Sequence, residues 1–392
     1  MKKIILVANS TWNIYNFRLN LIERLLIEGY TVFVVAPTDK YITYLDKFPE
    51  VVHVPLYSLK RKSTNFLSDL KLLFELFRIY KKINPDAIIH YTIKPNIYGG
   101  LITRILKIKN IPIITGLGYT FINKGLLHSF TNFMYRLGLK NAVSIIFENI
   151  DDRKIFIENK IVKAKNSVSM KGCGTNIAHF KPIDTLKSDN KIIISYVGRY
   201  LYDKGILEFV NAAQLVKQQF AGVEFWLIGC ADFGNPTSVK EIELRDWVAK
   251  KIIIDKGFAE DVRIPISQSD CIVCPSYREA IPRVIQEGMA MEKIVITTNV
   301  PGCYEAVDDN KNGFLVDAKN TNQLADAFLR VIKMSAEERL SFGKAGRKKV
   351  IETFDDRLIA KQIVQVLAAA LGETEAITND KLQIKEYQSI NS

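Results

Sequence analysis

The sequence predicts an α/β protein of two domains, each a doubly wound parallel β-sheet covered by helices on both faces. Its 392 residues are enough for two domains of ordinary size. Short runs rich in β-branched residues alternate with segments of helical periodicity through both halves, as in parallel sheets with crossover helices. The composition changes to Gly and Pro at Lys171–Pro182, which predicts a boundary between the two sheets.

The first half is predicted to contain strands and helices in alternation. The strand-like runs are Ile4–Val7, Val32–Val35, Ala87–His90, Ile111–Thr115 and Val143–Phe147. The helical patterns between them are Arg18–Leu26, Phe66–Lys82, Gly99–Leu106 and Leu126–Leu139. Because ligands gather at the carboxyl ends of parallel strands, functional residues are expected just after these runs.

The second half repeats the same alternation. The strand-like runs are Ile192–Val197, Glu224–Ile228, Ile252–Ile254, Cys271–Cys274, Ile294–Thr297 and Gly313–Val316. The helical patterns are Gly205–Gln218, Val239–Ala249, Pro282–Met291, Thr321–Met334, Ala336–Thr353 and Arg357–Leu371. We therefore expect domains at 1–180 and 181–355, a C-terminal helix at 356–371 and a polar, flexible tail at 372–392.

The positive charge is concentrated in the first half. Residues 1–180 contain 26 Lys and Arg against 12 Asp and Glu, whereas the remaining residues contain 28 against 30. A basic first domain predicts an anionic partner for that domain, such as a membrane surface, a phosphorylated lipid or a nucleic acid. The charges are dispersed over helices without a nucleic-acid-binding motif, so nucleic acid is not the expected partner.

Cysteine usage and the N-terminus indicate a reducing compartment. Five scattered cysteines argue against a disulfide framework. Cys271 and Cys274 form a CxxC, but they stand in an apolar strand with no second pair at zinc spacing, which favours core cysteines. The apolar N-terminal run lacks a small-residue cleavage site and is interpreted as a first strand. No apolar run reaches the roughly 18 residues of a spanning helix.

The stretch Ile192–Gly205 combines a buried strand, a turn and a helix start with two cations, Arg199 and Lys204. Backbone N–H groups and the helix dipole favour an anion at such a turn, and arginine adds a forked donor, so the pattern predicts a phosphate site. By itself the stretch is equally compatible with a surface turn carrying two solvated charges.

A second stretch, Pro275–Met291, places Glu279 in a loop and Glu287 on the following helix. Eight positions of helix span about 12 Å, so the two carboxylates can accept hydrogen bonds from hydroxyl groups at two points of an elongated ligand. Ordinary surface glutamates on a capped helix are the alternative. The presence of Arg199 and Lys204 after another strand favours the ligand site.

Both stretches resemble glycosyltransferase family 4, whose members are retaining enzymes of the GT-B fold. GRYLYDKG (Gly198–Gly205) is similar to the family motif G-R-x-x-x-x-K-G, and EAIPRVIQE (Glu279–Glu287) is similar to E-x7-E. In the first half, NFRLNL, HYTIKPN and ITGLGYTF resemble the branch that builds bacterial surface polysaccharides and lipid-linked oligosaccharides. The resemblance implies two Rossmann-like domains facing across a cleft, with a C-terminal helix that crosses back to the first domain.

The resemblance also implies roles for the matching residues. Arg199 and Lys204, beside Gly198, would bind the donor diphosphate and neutralise the leaving nucleotide. Glu279 would contact the donor sugar. Arg199, Lys204 and Glu279 are therefore the expected catalytic residues, because fixed cations stabilise the charge that grows on a departing diphosphate.

The rest of the expected donor site follows from the same resemblance. Backbone N–H groups near Ala280 and Ile281 would assist at the sugar, Glu287 would hold the ribose hydroxyls, and Gly257 and Phe258 lie where the family holds the base. No metal or other cofactor is expected, since the chain has no D-x-D motif and no cluster of metal ligands.

One difference from the family lies in the first half. Many members carry a catalytic His after the strand that here is Ile111–Thr115, whereas this chain continues with Gly116, Leu117 and Gly118. The two glycines could let the backbone approach a ligand closely. His90 ends the preceding strand and is a candidate for the cleft, although a buried histidine with satisfied hydrogen bonds is the more common case.

The first domain is expected to bind the acceptor. Arg18, Lys94 and Asn96 are candidate contacts with the acceptor or its phosphates. Phe66–Lys82, preceded by the basic Lys60–Lys62, and Thr120–Leu137 combine apolar and basic residues, and either could lie against an anionic bilayer. The expected location is therefore the cytoplasmic face of the plasma membrane, with peripheral attachment.

Together these features predict a retaining, metal-independent hexosyltransferase. It would move a hexose or N-acetylhexosamine from a nucleoside-diphosphate sugar, UDP-linked by family frequency, to a lipid-linked or glycan acceptor. The alternatives are a GT-B epimerase that performs no transfer and a non-catalytic relative that binds a nucleotide sugar.

Overall fold

The computed structural model describes residues 1–59, 66–117, 126–184, 191–232 and 234–373. The chain forms two compact domains, and each consists of segments that are not contiguous in the sequence. The first domain contains Met1–Glu148, Arg153–Met170 and the chain from Arg357 onward. The second domain contains Asn149–Asp152 and Lys171–Asp356. The four residues Asn149–Asp152 thus belong to the second domain, although the chain on both sides of them belongs to the first.

The first domain is built on a parallel sheet of seven strands in the order β3-β2-β1-β4-β5-β6-β7. The strands are β1 (Lys3–Val7), β2 (Thr31–Ala36), β3 (Val52–Pro55), β4 (Ala87–Tyr91), β5 (Lys109–Ile114), β6 (Ile145–Phe147) and β7 (Ser167–Ser169). β1 and β4 are fully buried in nearly all positions, as expected for central strands with helices on both faces.

Helices cover this sheet between its strands. They are α1 (Thr11–Phe17), α2 (Leu19–Ile27), α3 (Tyr44–Lys47), α4 (Phe66–Ile83), α5 (Gly100–Leu106), α6 (Leu126–Leu139) and α7 (Ile150–Glu158). The side chains of Asp69 and Glu75 on α4 are bonded to neighbouring protein groups, and this helix buries Leu72, Leu76 and Tyr80 against the sheet.

The second domain has a parallel sheet of six strands in the order β10-β9-β8-β11-β12-β13. The strands are β8 (Ile192–Val197), β9 (Val223–Ile228), β10 (Ile254–Gly257), β11 (Cys271–Cys274), β12 (Ile294–Thr298) and β13 (Gly313–Val316). The central pair is β8 and β11, with Ile194 opposite Cys271. Cys271 and Cys274 are buried and unbridged, in agreement with core cysteines.

The helices of the second domain follow its strands. They are α8 (Ile206–Lys217), α9 (Glu241–Ala249), α10 (Arg263–Gln268), α11 (Arg283–Ala290), α12 (Thr321–Lys333) and α13 (Ala336–Lys349). The aromatic residues Phe209, Phe225 and Phe328 pack against each other at the centre of the core on one face of the sheet, between α8, β9 and α12.

The last helix, α14 (Asp356–Leu371), returns to the first domain. Ile359, Ile363 and Leu367 are buried in the same cluster as residues of α2 and β1. The expected C-terminal crossing is therefore confirmed, and so is the α/β class of two Rossmann-like domains that defines the GT-B fold. In the described part of the chain, no helix is both long and apolar enough to cross a bilayer.

Several elements differ from the sequence prediction. The elements that were not predicted are short or have weak apolar periodicity; they are β3, β7, α1, α3, α7 and α10. The strand predicted at Ile252–Ile254 lies instead at Ile254–Gly257. Ile252 and Ile253 are buried ahead of it, whereas the strand itself is polar and largely exposed at the edge of the sheet. Apolar content therefore marks the packed residues and not the edge strand.

Candidate functional site

The predicted donor residues of the second domain follow the carboxyl ends of its strands. Arg199 and Lys204 come after β8, and Glu279 comes after β11, the strand that pairs directly with β8. The two loops are about 75 residues apart in the chain, and the parallel pairing of their strands brings them to one edge of the sheet.

Arg199 is held at the turn after β8 by its backbone and by an ion pair. Gly198 has a φ of 151°, and its N–H donates to the carbonyl of Ile228. The hydroxyl of Tyr196 donates to the carbonyl of Arg199 at 2.7 Å. The Arg199 side chain is 45% exposed, and its guanidinium contacts Asp232 at 2.8 Å between Nη1 and Oδ2. It is thus accessible to a ligand but already oriented.

Lys204 and Glu279 contact each other directly. Lys204 Nζ donates to Glu279 Oε1 at 2.6 Å, and the Ser276 hydroxyl donates to the same oxygen at 2.8 Å. Burial by itself lowers the pKa of Lys204, but the charge of Glu279 and the hydrogen bond to it outweigh this effect and the net pKa is raised. Lys204 is therefore a cation at neutral pH, fixed beside a carboxylate.

Glu287 lies on the second turn of α11 and is largely buried. Its carboxylate contacts Arg283 at 2.8 Å, one helical turn earlier, and 12% of its side chain is exposed. Burial raises the pKa of Glu287, while the charge of Arg283 opposes this increase. Ala280 and the buried Ile281 lie just before the helix, where backbone N–H groups have no partners within the helix.

Gly257 and Phe258 lie at the end of β10, two strands away from β8. Gly257 has a φ of 66°, and its N–H donates to Asp255 Oδ1 at 3.0 Å. Asp255 also accepts a hydrogen bond from the hydroxyl of Tyr200, which follows β8. The ring of Phe258 is 61% exposed, so it offers a flat apolar surface at the same edge of the sheet.

Three partners of these residues were missed by sequence reasoning. Asp232 pairs with Arg199, Ser276 donates to Glu279, and Arg283 pairs with Glu287. The spacing of four between Arg283 and Glu287 is a recognisable helical ion-pair signal. Asp232 and Ser276 have no comparable signal, because their positions depend on the tertiary arrangement of loops.

In the first domain, His90 is fully buried, so its side chain is not exposed to a ligand. Its ring nitrogens lie 2.7 Å from the Tyr80 hydroxyl and 2.8 Å from Asn110 Oδ1. Burial lowers the pKa of His90 to about 4, so the ring is neutral at pH 7. The structure corresponds to the alternative interpretation, a buried histidine with both nitrogens bonded.

The other first-domain candidates are also engaged by protein groups. Arg18 is 4% exposed on its side chain, lies 3.4 Å from Glu148 and stacks at 4.0 Å over the Tyr91 ring. Lys94 contacts Asp69 at 2.6 Å.

Asn96 is buried and donates from Nδ2 to the carbonyl of Ile113. Gly116 has a φ of 106°, a conformation that favours glycine. Gly118 and the basic stretch Lys60–Lys62 lie outside the described residues. Within the ranges that are described, no group of three or more His, Cys, Asp or Glu side chains is arranged to hold a metal ion.

Family models match both domains of the chain. The model "Glycosyl transferases group 1" matches residues 179–349, which include all the predicted donor residues. The model "Glycosyl transferase 4-like" matches residues 3–149. Between them the two models cover most of the described chain.

Similar proteins match nearly the full length. The chain is 27% identical to the N,N'-diacetylbacillosaminyl-diphospho-undecaprenol alpha-1,3-N-acetylgalactosaminyltransferase of Campylobacter jejuni, over 92% of this chain and 96% of that protein. It is 26% identical to the capsular polysaccharide biosynthesis glycosyltransferase CapM of Staphylococcus aureus, over 90% and 94%. The fold matches that of Anabaena HepE in complex with UDP and glucose with a TM-score of 0.77, at 18% identity over 94% and 100% of the chains.

Proposed function

The chain belongs to the family of group 1 glycosyltransferases, and we propose that it is a retaining enzyme acting on a lipid-linked sugar. It would transfer a hexose or N-acetylhexosamine from a UDP-linked donor in the assembly of a bacterial surface glycan. The single observation that supports this best is the contact between Lys204 and Glu279, with Arg199 exposed on the same loop as Lys204.

The donor diphosphate is proposed to bind between Arg199 and Lys204. Both cations stand after β8, and each is paired with a carboxylate in the structure. A diphosphate group brings two negative charges to this place, so it competes with Asp232 and Glu279 for the same donors. When the glycosidic bond of the donor breaks, further charge develops on the diphosphate, and cations held in advance stabilise it without reorganisation.

Glu279 is proposed to change its partner when the donor binds. Once Lys204 is engaged by phosphate, the carboxylate still accepts from Ser276 and is available to a sugar hydroxyl. Glu287 would accept from the ribose hydroxyls, and the charge of Arg283 opposes the increase in its pKa that burial causes. Gly257 and Phe258 would lie at the base.

The proton of the attacking hydroxyl requires an acceptor. Because His90 is fully buried and neutral, it does not supply one directly. We propose that the donor phosphate itself takes up this proton while the hydroxyl of the acceptor sugar attacks the donor sugar. The attack comes from the same face on which the nucleotide leaves. Attack on that face retains the configuration of the sugar.

The proposed acceptor is a sugar linked to undecaprenyl diphosphate. The name of the C. jejuni relative includes such an acceptor, and that protein is similar over nearly the whole chain. Arg18, Lys94, Asn96, Gly116 and Gly118 remain the candidate acceptor residues.

The first domain is further proposed to rest on an anionic membrane through α4. The strongly exposed apolar side chains on or beside this helix include Tyr57 at 80%, Leu70 at 54%, Phe74 at 63% and Ile105 at 65%. We call these four residues the α4 surface. Exposed apolar side chains flanked by cations are typical of segments that lie in the interface of an anionic leaflet.

The charges around the α4 surface favour an anionic partner. Asp69 is bonded to Lys94 and Tyr98, and Glu75 accepts from the backbone N–H groups of Tyr57 and Ser58. Both carboxylates of α4 are thus hydrogen-bonded to protein groups, and that of Asp69 is also paired with a cation. The exposed basic side chains nearby are Lys71, Arg78, Lys81, Lys82 and Arg104.

A panel of nucleotide sugars tests the proposed activity. UDP-glucose, UDP-galactose, UDP-GlcNAc and UDP-GalNAc are compared by thermal shift and then by release of UDP with a polyprenyl diphosphate sugar as acceptor. We expect one donor to stabilise the protein and to release UDP only with the acceptor. Epimerised free donor without transfer indicates the epimerase alternative. Binding without turnover indicates a non-catalytic protein.

A further inference from the structure

The loop that carries Glu279 is irregular, and its shape depends on contacts from elsewhere. The loop comprises Pro275–Pro282, between β11 and α11. The carbonyl of Ser276 accepts from the Thr298 hydroxyl, and the N–H of Tyr277 donates to the carbonyl of Asp203. These contacts hold the first residues of the loop.

Arg278, the residue immediately before Glu279, provides a link to a distant part of the sequence. Its Nη2 donates to Asp152 Oδ1 at 2.5 Å. The Arg278 side chain is 19% exposed, and that of Asp152 is completely buried. Asp152 lies at the start of α7, 126 positions earlier in the chain, yet it belongs to the second domain.

Asp152 is itself held firmly. Its N–H donates to Asn149 Oδ1 at 2.7 Å, and the Asn149 side chain is buried. Burial raises the pKa of Asp152, while the charge of Arg278 opposes this increase. Removing either partner leaves the other charge buried without its counterion, which is strongly unfavourable. The pair therefore constrains both residues to one arrangement.

A second contact from the same turn reaches a neighbouring loop. Asp151 accepts from the Tyr304 hydroxyl at 2.5 Å. In the loop of Tyr304, a Cβ on Gly302 would lie about 2.1 to 2.2 Å from the carbonyl oxygens of Glu279 and Ala280. This loop therefore packs directly on the backbone at Glu279. Asp151 and Asp152 thus offer a matched pair of residues, of which only Asp152 contacts the side chain next to Glu279.

We propose that Asp152 is a positioning residue for the donor sugar, acting through Arg278 to orient the carboxylate of Glu279. The inference rests on the proposed donor site and adds a residue from the first half of the sequence to it. Arg199 and Glu287, which are proposed to hold the diphosphate and ribose, are paired with Asp232 and Arg283. Lys204 is paired with Glu279 but exchanges this partner for phosphate in the proposed donor complex. Asp152 should therefore affect recognition of the sugar more than recognition of the nucleotide.

The test compares two ligands in the full-length protein by titration calorimetry, UDP and a UDP-sugar. UDP-GalNAc is the first choice because its sugar appears in the name of the C. jejuni relative, and the donor that the panel selects replaces it if the two differ. In Asp152→Asn we expect the affinity for UDP-GalNAc to fall about tenfold relative to the affinity for UDP. The same change is expected for Arg278→Met, and Arg278→Lys should recover part of the loss because the ammonium group can still reach Asp152. A general loss of structure would weaken the binding of both ligands together and leave the ratio of their affinities unchanged.

Asp151→Asn is the matched control, because it removes the adjacent charge while the amide oxygen can still accept from the Tyr304 hydroxyl and keep that loop in place. Its ratio of affinities should remain within about twofold of that of the wild type. The positioning role is wrong if Asp152→Asn and both Arg278 variants keep the wild-type ratio. If the wild-type protein binds neither ligand, the proposed donor site fails and the inference fails with it. If Asp152→Asn does not fold, the ratio of affinities is compared in the two Arg278 variants instead.

Discussion

At the scale of single residues, the candidate donor site consists of cations that already have carboxylate partners. Lys204 contacts Glu279, and Arg199 contacts Asp232. Such pairs keep the side chains in place before a ligand arrives, so less conformational entropy is lost on binding. They also mean that the negatively charged ligand must replace one partner of each pair.

Substitution of the two cations should remove most of the activity. For Arg199→Ala and Lys204→Ala we expect kcat/KM to fall by about 10²- to 10³-fold each, because each removes a fixed donor to the departing diphosphate. UDP release with the acceptor measures the effect. Lys250→Ala, which removes an exposed cation at the end of α9, is the control and should behave as the wild type. Near-normal turnover in both site variants would refute the diphosphate role.

The buried Glu287 should make donor binding depend on pH. Its pKa is raised above the ordinary 4.5, mainly by burial, so protonation begins at a higher pH than for an exposed glutamate. The protonated group is a poorer acceptor for ribose hydroxyls, and the affinity for UDP-GalNAc should therefore fall as the pH decreases. The two phosphates of this ligand keep their charges from about pH 8 to about pH 5, so calorimetry over that range reports the protein.

Glu287→Gln distinguishes this effect from other titrating groups. The variant should bind weakly at about pH 8 and lose little further affinity on acidification, because the titrating carboxyl is gone. A wild-type affinity that declines in parallel with that of the variant would place the titrating group elsewhere.

At the scale of secondary-structure elements, the turn between β8 and α8 depends on Gly205. Gly205 has a φ of 72° and caps the N-terminus of α8. A Cβ at this position would lie 2.0 Å from the carbonyl oxygen of Pro275, in the loop that carries Glu279. The glycine is therefore needed both for its backbone conformation and for the close approach of the two site loops.

Gly205→Ala should destabilise the second domain and weaken donor binding together. The left-handed conformation alone costs about 1 kcal/mol or more for alanine, and the contact with Pro275 adds to this. Urea unfolding and UDP titration measure the two effects.

Gly222→Ala is the matched control, because a Cβ at this position would have no other atom within 4 Å and the φ of Gly222 is not positive. Its free energy of unfolding should stay within about 0.5 kcal/mol of the wild type. Equal behaviour of the two alanine variants would contradict the role of Gly205.

At the scale of the whole molecule, the uneven charge of the sequence matches the proposed surface of the first domain. Positions 1–180 contain 26 basic and 12 acidic residues, whereas basic and acidic residues are nearly equal in number in the rest of the chain. The α4 surface adds exposed apolar side chains to this charge. Charge alone brings a protein near an anionic leaflet, whereas inserted apolar groups hold it there.

The α4 surface can be tested with anionic vesicles. The double variant Leu70→Gln and Phe74→Gln should bind phosphatidylglycerol vesicles at least about fivefold more weakly in co-sedimentation at low salt, because two inserted side chains become polar. The control double variant, Ile242→Gln and Leu340→Gln, alters exposed apolar residues of the second domain and should bind as the wild type. A wild-type protein that ignores the vesicles, yet is fully active on a free soluble sugar, would exclude the membrane role.

Local sequence determined the class of fold and the location of the site residues along it. Alternating apolar runs and helical patterns predict parallel sheets, and β8, β11 and β13 lie where the sequence predicts them. Gly198, Arg199, Lys204 and Glu279 all follow strands, and the direction of a parallel strand determines which edge its following loop joins.

The tertiary structure alone decided which of these residues meet. β8 and β11 are neighbours because strand order depends on burial of both sheet faces by distant segments, which no local pattern encodes. That order joins Lys204 to Glu279, and the return of Asn149–Asp152 to the second domain joins Asp152 to Arg278. Non-local packing also buries His90. The sequence alone does not predict this burial, because periodicity identifies a strand but not which of its polar side chains is covered.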